Sequence, residues 1–229
     1  MGLMLLAEDL LLLLTDDDTG KLAASGTEVD VALGGALLVE LTLLQRVDVA
    51  GPHERVREGR LVVRDTSPTG DGLLDEALTV AGQQEGKRPQ SVVTRLGKRV
   101  RGRLFQRLVD GGVLRAEEGR VLGIFPTHRW PALDSAHESS VRAALVAALR
   151  AGATDQTRTG ALVSLLLALD AVDQAVDPGA VGLSRRELSA NARRIAEGDW
   201  AGTAVRHAID SMNAAVIAAT TAVVVGGSG

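Results

Sequence analysis

Along most of this chain the apolar positions recur at a helical spacing. Between Val31 and Leu44, leucines at 33, 37, 38, 41 and 44 follow one another at three- and four-residue steps or side by side, which predicts an amphipathic helix with most faces covered. Val93, Leu96, Val100, Leu104 and Leu108 form a second stripe, closed by Gly111-Gly112. This predicts one helix on which Lys98 and Arg101, three apart, share a side. From Ser139 onward three or four Ala- and Leu-rich helices are expected, punctuated by Gly152, Pro178-Gly179 and Gly198. Near the start, Leu10 to Leu14 followed by Asp16-Asp17-Asp18-Thr19-Gly20-Lys21 reads as an apolar element ending in a tight turn.

Two stretches depart from the helical period. In Arg46 to Arg64, Val47, Val49, Val56 and Leu61-Val62-Val63 are interrupted by Gly51-Pro52 and Gly59, the pattern of short strands in a hairpin. Val113-Leu114 and Val121 to Phe125 flank Glu117-Glu118-Gly119-Arg120, which predicts a second hairpin turning at those four residues and running on to Trp130. Between them, Ser67-Pro68-Thr69-Gly70 turns the chain into a helix from Asp71 to about Val80, with Asp71 as N-cap. The resulting expectation is a mainly α fold: a single globular helical domain over 1–229, core helices wrapped by amphipathic helices, with peripheral β-hairpins.

Composition narrows the chemistry. With 229 residues, 45% of them hydrophobic and only 2% aromatic, the core must be filled by Leu, Val and Ala. The absence of Cys removes disulfides, thiolate nucleophiles and Cys-type zinc sites together. The longest apolar run, Ala214 to Val225, falls short of the roughly 18 to 20 residues that span a bilayer and is expected to be a buried core helix. Glu8 and Asp9 interrupt the early leucines, so no signal peptide is expected and a cytoplasmic location is. Arginine outnumbers lysine 22 to 3, a bias associated with GC-rich genomes such as those of actinobacteria.

Charge changes the picture most. Lys87, Arg88, Arg95, Lys98, Arg99, Arg101, Arg103 and Arg107 lie in a stretch of 21 residues holding no Asp or Glu. Taking this +8 from the net −4 leaves −12 on the rest of the chain. A molecule this dipolar turns its basic side toward lipid or nucleic-acid phosphate; paired to carboxylates elsewhere, the same run would be an ordinary solvated face. A basic helix followed by a hairpin also fits the recognition helix and wing of a winged-helix nucleic-acid binder, although such a domain would leave half of the chain unexplained.

Enzymatic chemistry finds little support. His53, His128, His137 and His207 are scattered, and neither His53-Glu54 nor His137-Glu138 is followed by a second His at metalloprotease spacing. A calcium loop beginning at Asp16 would need a Glu where Thr27 stands. Gly70-Asp71-Gly72 is too short for a dinucleotide loop, and Gly20-Lys21 lacks the upstream glycine of a phosphate-binding loop. Neither a cofactor nor a metal site is expected. Trp130 is expected to pack on the body rather than anchor in a membrane, and Trp200 to lie in the core or between helices.

Pro68-Thr69-Gly70-Asp71-Gly72-Leu73-Leu74-Asp75-Glu76-Ala77-Leu78 resembles the signature of the Golgi phosphoprotein 3 family. In family order stand Leu5-Leu6-Ala7-Glu8-Asp9-Leu10, Gly35-Ala36-Leu37-Leu38-Val39-Glu40-Leu41, the run Arg101 to Leu114, and Leu165-Leu166-Leu167-Ala168-Leu169-Asp170. The resemblance implies a non-enzymatic peripheral membrane adaptor, cytoplasmic and membrane-associated, that binds phosphatidylinositol 4-phosphate in a shallow basic pocket. It sets two pocket bases on Lys98 and Arg101, while the family's pocket Arg and Trp align with Gly34 and Ser25. Supporting bases would come from Arg95, Arg99, Arg103, Arg55, Arg57 and Arg60. The expected partner is an anionic or phosphoinositide-bearing membrane surface; nucleic acid is disfavoured, a protein cargo stays unidentified, and a homo-oligomer stays open.

Overall fold

The chain is seen in a computed structural model that describes residues 4–16, 22, 26–121, 125–198 and 203–226, with the side chains of 118–129, 203–208 and 223–226 left aside. Helix α1 (Leu6–Leu13) is buried along its whole length, Glu8 and Asp9 included. Glu8 reaches back to accept the N–H of Leu5 at 2.8 Å, satisfying an amide that the helix start would leave open. The turn expected at Asp16 to Lys21 falls largely outside the described residues.

Helix α2 (Gly26–Leu43) is the centre of the molecule. Every residue from Val31 to Thr42 is buried, Glu40 and Thr42 included, so the expected amphipathic helix with most faces covered is covered on every face there, by α1 and by helices later in the chain. Strands β1 (Val47–Val49) and β2 (Leu61–Val63) pair antiparallel, Val47 opposite Val63, as the sequence predicts. Helix α3 (Gly72–Gln83) is capped by Asp71, whose carboxylate accepts the amides of Leu73 at 2.9 Å and Leu74 at 3.1 Å.

The predicted basic helix is two helices. α4 (Pro89–Gly97) stops at Lys98, and α5 (Val100–Asp110) starts after Arg99, which holds a left-handed φ of 64°. Where α4 crosses α2 the backbones touch. A Cβ placed on Gly34 would lie 2.3 Å from the carbonyl oxygen of Val93 and 2.6 Å from the nitrogen of Gly97. One placed on Gly97 would lie 2.3 Å from the carbonyl oxygen of Asp30.

The second hairpin has strands β3 (Glu117–Val121) and β4 (Phe125–Arg129), with Val121 opposite Phe125. Glu117 to Arg120, expected as its turn, is therefore strand. In a two-stranded ribbon the ladder asks only for backbone groups, so polar composition does not mark the turn. Trp130 follows and stacks on the buried Phe105, ring centroids 4.7 Å apart and planes 7° from parallel, which bears out packing on the body. Trp200 lies outside the described residues.

The remaining helices are α6 (Ala136–Ala151), α7 (Thr157–Ala168), single turns α8 (Val172–Ala175) and α9 (Pro178–Val181), α10 (Arg185–Ala196) and α11 (Thr203–Gly226). Gly152 ends α6 at φ 65°, and Ser184 with Glu187 forms a capping box on α10. α11 buries Met212, Val216 and Ala219 while Ile217 is half exposed, so the apolar run from Ala214 covers the core with one face only. No helix among the described residues is long and apolar enough to cross a membrane.

Arg158 ties the helices together. It donates to Asp9 at 3.0 and 3.1 Å and to Glu40 at 2.9 Å, and Asp9 also meets Nε2 of His137 at 2.7 Å. Burial pushes the Glu40 carboxyl above its ordinary range, and the Arg158 guanidinium only partly offsets this.

Candidate functional site

Of the eight bases between Lys87 and Arg107, three are taken up by the protein itself. Arg107 donates to Glu8 and to Asp71, each at 2.8 Å, joining α5 to α1 and to the cap of α3. Arg103 forms a two-pronged pair with Glu76 at 2.6 and 2.8 Å, which holds the Glu76 carboxyl below its usual range. Arg101 faces Asp30 at 3.3 Å, a contact of opposite charges without hydrogen-bond alignment, since that carboxylate oxygen is buried with no hydrogen-bond partner. Desolvation raises the Asp30 carboxyl and Arg101 opposes the shift. Lys87, Arg88, Arg95, Lys98 and Arg99 have no such partner among the described residues.

The α4–α5 junction gathers part of this free charge around a cavity of about 270 Å³. Arg95, Lys98, Arg99 and Arg103 line it together with Glu76, over a floor that includes Leu37, Leu73, Val80 and Leu96. The turn at Lys98-Arg99 is what sets residues from the end of α4 and the start of α5 around one opening. Chemically this is an amphipathic hollow: cations with spare donors above an apolar base.

The sequence-predicted site residues are thus divided. Lys98 lines the hollow beside Arg95, Arg99 and Arg103. Arg101 does not; it lies toward the start of α2, where a Cβ on Gly26 would sit 2.4 Å from its Nη1. A shared helix side for Lys98 and Arg101 is corrected by the break between them. Arg55, Arg57 and Arg60 stand in the loop of the first hairpin, and Arg57 and Arg60 line a different cavity. At Gly34 the backbone contact with α4 leaves no volume for any side chain, and Ser25 falls outside the described residues. Among the described residues no group of three His, Cys, Asp or Glu is arranged to hold a metal ion.

Sequence reasoning missed the apolar floor and the neutralising role of Glu76. The break had one visible sign: Gly97 sits in mid-stripe, where glycine costs a helix about 1 kcal/mol and marks a close backbone approach.

A mainly helical body with two small hairpins and a cationic, apolar-floored hollow at a helix junction defines the class. Within it the chain belongs to the Golgi phosphoprotein 3 (GPP34) family, whose model matches residues 6–212. It is similar to vacuolar protein sorting-associated protein 74 of Eremothecium gossypii, with 33% identity over 165 residues. That match takes in 63% of this chain and 48% of the relative, so the chain spans about half the length of the protein it matches.

Proposed function

We propose that this protein is a peripheral membrane adaptor that docks on anionic, phosphate-bearing lipid through the hollow at the α4–α5 junction. The observation that carries the reading is the company of Arg95, Lys98 and Arg99, all without ion-pair or hydrogen-bond partners among the described residues, around an apolar floor. Each base near an anionic surface contributes about 1 kcal/mol, so three supply a weak, salt-sensitive attraction of roughly 3 kcal/mol. Membership in the family and likeness to a sorting-associated protein support an adaptor role over catalysis.

Head-group preference is read as broad. The family's pocket arginine aligns with Gly34, and discrimination of a phosphomonoester needs several converging donors. Phosphatidylinositol 4-phosphate is then one of several acceptable anionic lipids. Lys98 contributes directly; Arg101, engaged with Asp30, contributes through the general field.

The test is co-sedimentation with phosphatidylcholine vesicles carrying either phosphatidylinositol 4-phosphate or phosphatidylserine, at low and high salt. Both compositions should pellet the protein at low salt, and the double variant K98E/R99E should pellet several-fold less with either. Undiminished binding of that variant overturns the reading. A salt-dependent gel shift with duplex DNA, together with no vesicle binding, would favour a nucleic-acid partner.

A further inference from the structure

A second cavity, about 320 Å³, lies at the other end of α4. It is bounded by the loop of the first hairpin, by the start of α4 and by α11, and three of its lining residues are Arg57, Arg60 and Arg88. With about 1.5 Å of rise per residue, the nine residues of α4 hold the two cavities roughly 12 Å apart.

The backbone explains why these arginines meet. Leu61 donates its N–H to the carbonyl of Lys87 at 3.0 Å and accepts from the N–H of Gly86 at 2.9 Å. This two-bond bridge sets Arg60, just before Leu61, against Arg88, just after Lys87. Arg57 joins them because the amide of Arg60 returns to its carbonyl at 3.1 Å.

Two arginines flanking the same hairpin, Arg46 and Arg64, are neutralised. Arg64 pairs with Asp48 at 2.9 Å and Glu54 at 2.6 Å, and Arg46 pairs with Asp65. Arg57, Arg60 and Arg88 make no side-chain hydrogen bond and no ion pair with any described residue. Among the described residues Glu58 is the one acid lining the cavity, and their charges sum to +2. The α11 side consists of small residues, Ser211, Ala214, Ala215 and Ala218, which leaves the arginine forks open to a ligand rather than covered.

We infer that this cavity is a second anion site, separate from the α4–α5 hollow, that binds a phosphate monoester or diphosphate group. Three guanidinium forks match the three terminal oxygens of such a group, whereas a carboxylate offers only two acceptor atoms. The group could come from a soluble phosphate compound or from a lipid head group.

The experiment uses the full chain in a K98Q/R99Q background, which removes free cations of the other cavity. Inorganic pyrophosphate is titrated calorimetrically, and phosphatidylcholine vesicles carrying phosphatidic acid are tested by co-sedimentation. Saturable one-to-one pyrophosphate binding, weakened about tenfold or more by adding R60Q/R88Q, identifies a soluble-phosphate site. Vesicle binding alone, lost on the same addition, identifies a head-group site. Binding of neither probe, or binding that survives R60Q/R88Q, overturns the inference. Since Arg60 and Arg88 make no side-chain bond to any described residue, the variant should melt like its parent, and circular dichroism checks this. Failure of the lipid-docking proposal would show separately, as equal vesicle binding by the wild type and K98E/R99E.

Discussion

Gly34→Ala is a small change at one of the two tightest backbone approaches among the described glycines. The new methyl carbon would lie 2.3 Å from the carbonyl oxygen of Val93, at least 0.7 Å inside the 3.0 Å that such contacts essentially never breach. Neither partner can yield alone, because both are helix backbone, and Gly97 is itself pressed against Asp30. α2 and α4 must therefore part by close to 1 Å, forfeiting a quarter to a half of the dispersion attraction along their seam. Overpacking of this kind costs about 1 to 3 kcal/mol, and with backbone on both sides the upper end applies. The better helix propensity of Ala returns about 1 kcal/mol, leaving a net loss of about 2 kcal/mol. In a chain of 229 residues that lowers Tm by roughly 4 to 8 °C. Gly102→Ala in α5 is the control: nothing lies within 4 Å of its Cβ position, so the same change should stabilise by about 0.5 to 1 kcal/mol. Urea and thermal unfolding followed by far-ultraviolet circular dichroism would compare the two. If Gly34→Ala proves as stable as Gly102→Ala, the contact is not the constraint described, and the statement that no side chain fits there fails with it.

Arg158→Met should cost about 3 to 5 kcal/mol in urea unfolding, because Asp9 and Glu40, whose side chains are 1% and 8% exposed, lose their shared counter-charge; a loss under 1 kcal/mol would count against that role. Arg64→Gln should alter the acid limb of the stability profile. Hydrogen bonds from Arg64 and from the Gly51 amide hold the Glu54 carboxyl down to about 2, against an ordinary 4.5. A lowered carboxyl adds stability that is complete above the unfolded value and is lost as pH falls toward the folded one. The gap in urea midpoint between wild type and R64Q should thus narrow from about pH 5 to about pH 3; a gap that widens would contradict the assignment.

Much of the architecture could be read before any coordinates. The cap at Asp71, the first hairpin and the long helices after Ser139 follow from local rules, capping chemistry, alternation and helical period, and the structure repeats them. The misreadings share one cause, contacts between segments far apart in the chain. Whether α2 has a polar face depends on what α11 and α4 cover, and whether the basic stripe runs through Lys98 depends on α4 meeting α2 at Gly34. The same holds for charge. The +8 of the basic segment is a property of the sequence, but which cations remain free depends on Glu8, Asp30, Asp71 and Glu76 arriving from other helices. Arg88 stood in the basic segment from the start. Its link to Arg57 and Arg60 rests on the pairing of Leu61 with Lys87, which no linear pattern announces.

Arg99 carries a consequence for how this protein can evolve. An arginine held at a φ of 64° stores on the order of 1 to 2 kcal/mol of backbone strain that a glycine would release. Replacing it would make the fold sturdier and remove a cation from the rim of the hollow in one step. Selection for stability and selection for display of charge therefore pull this one codon in opposite directions.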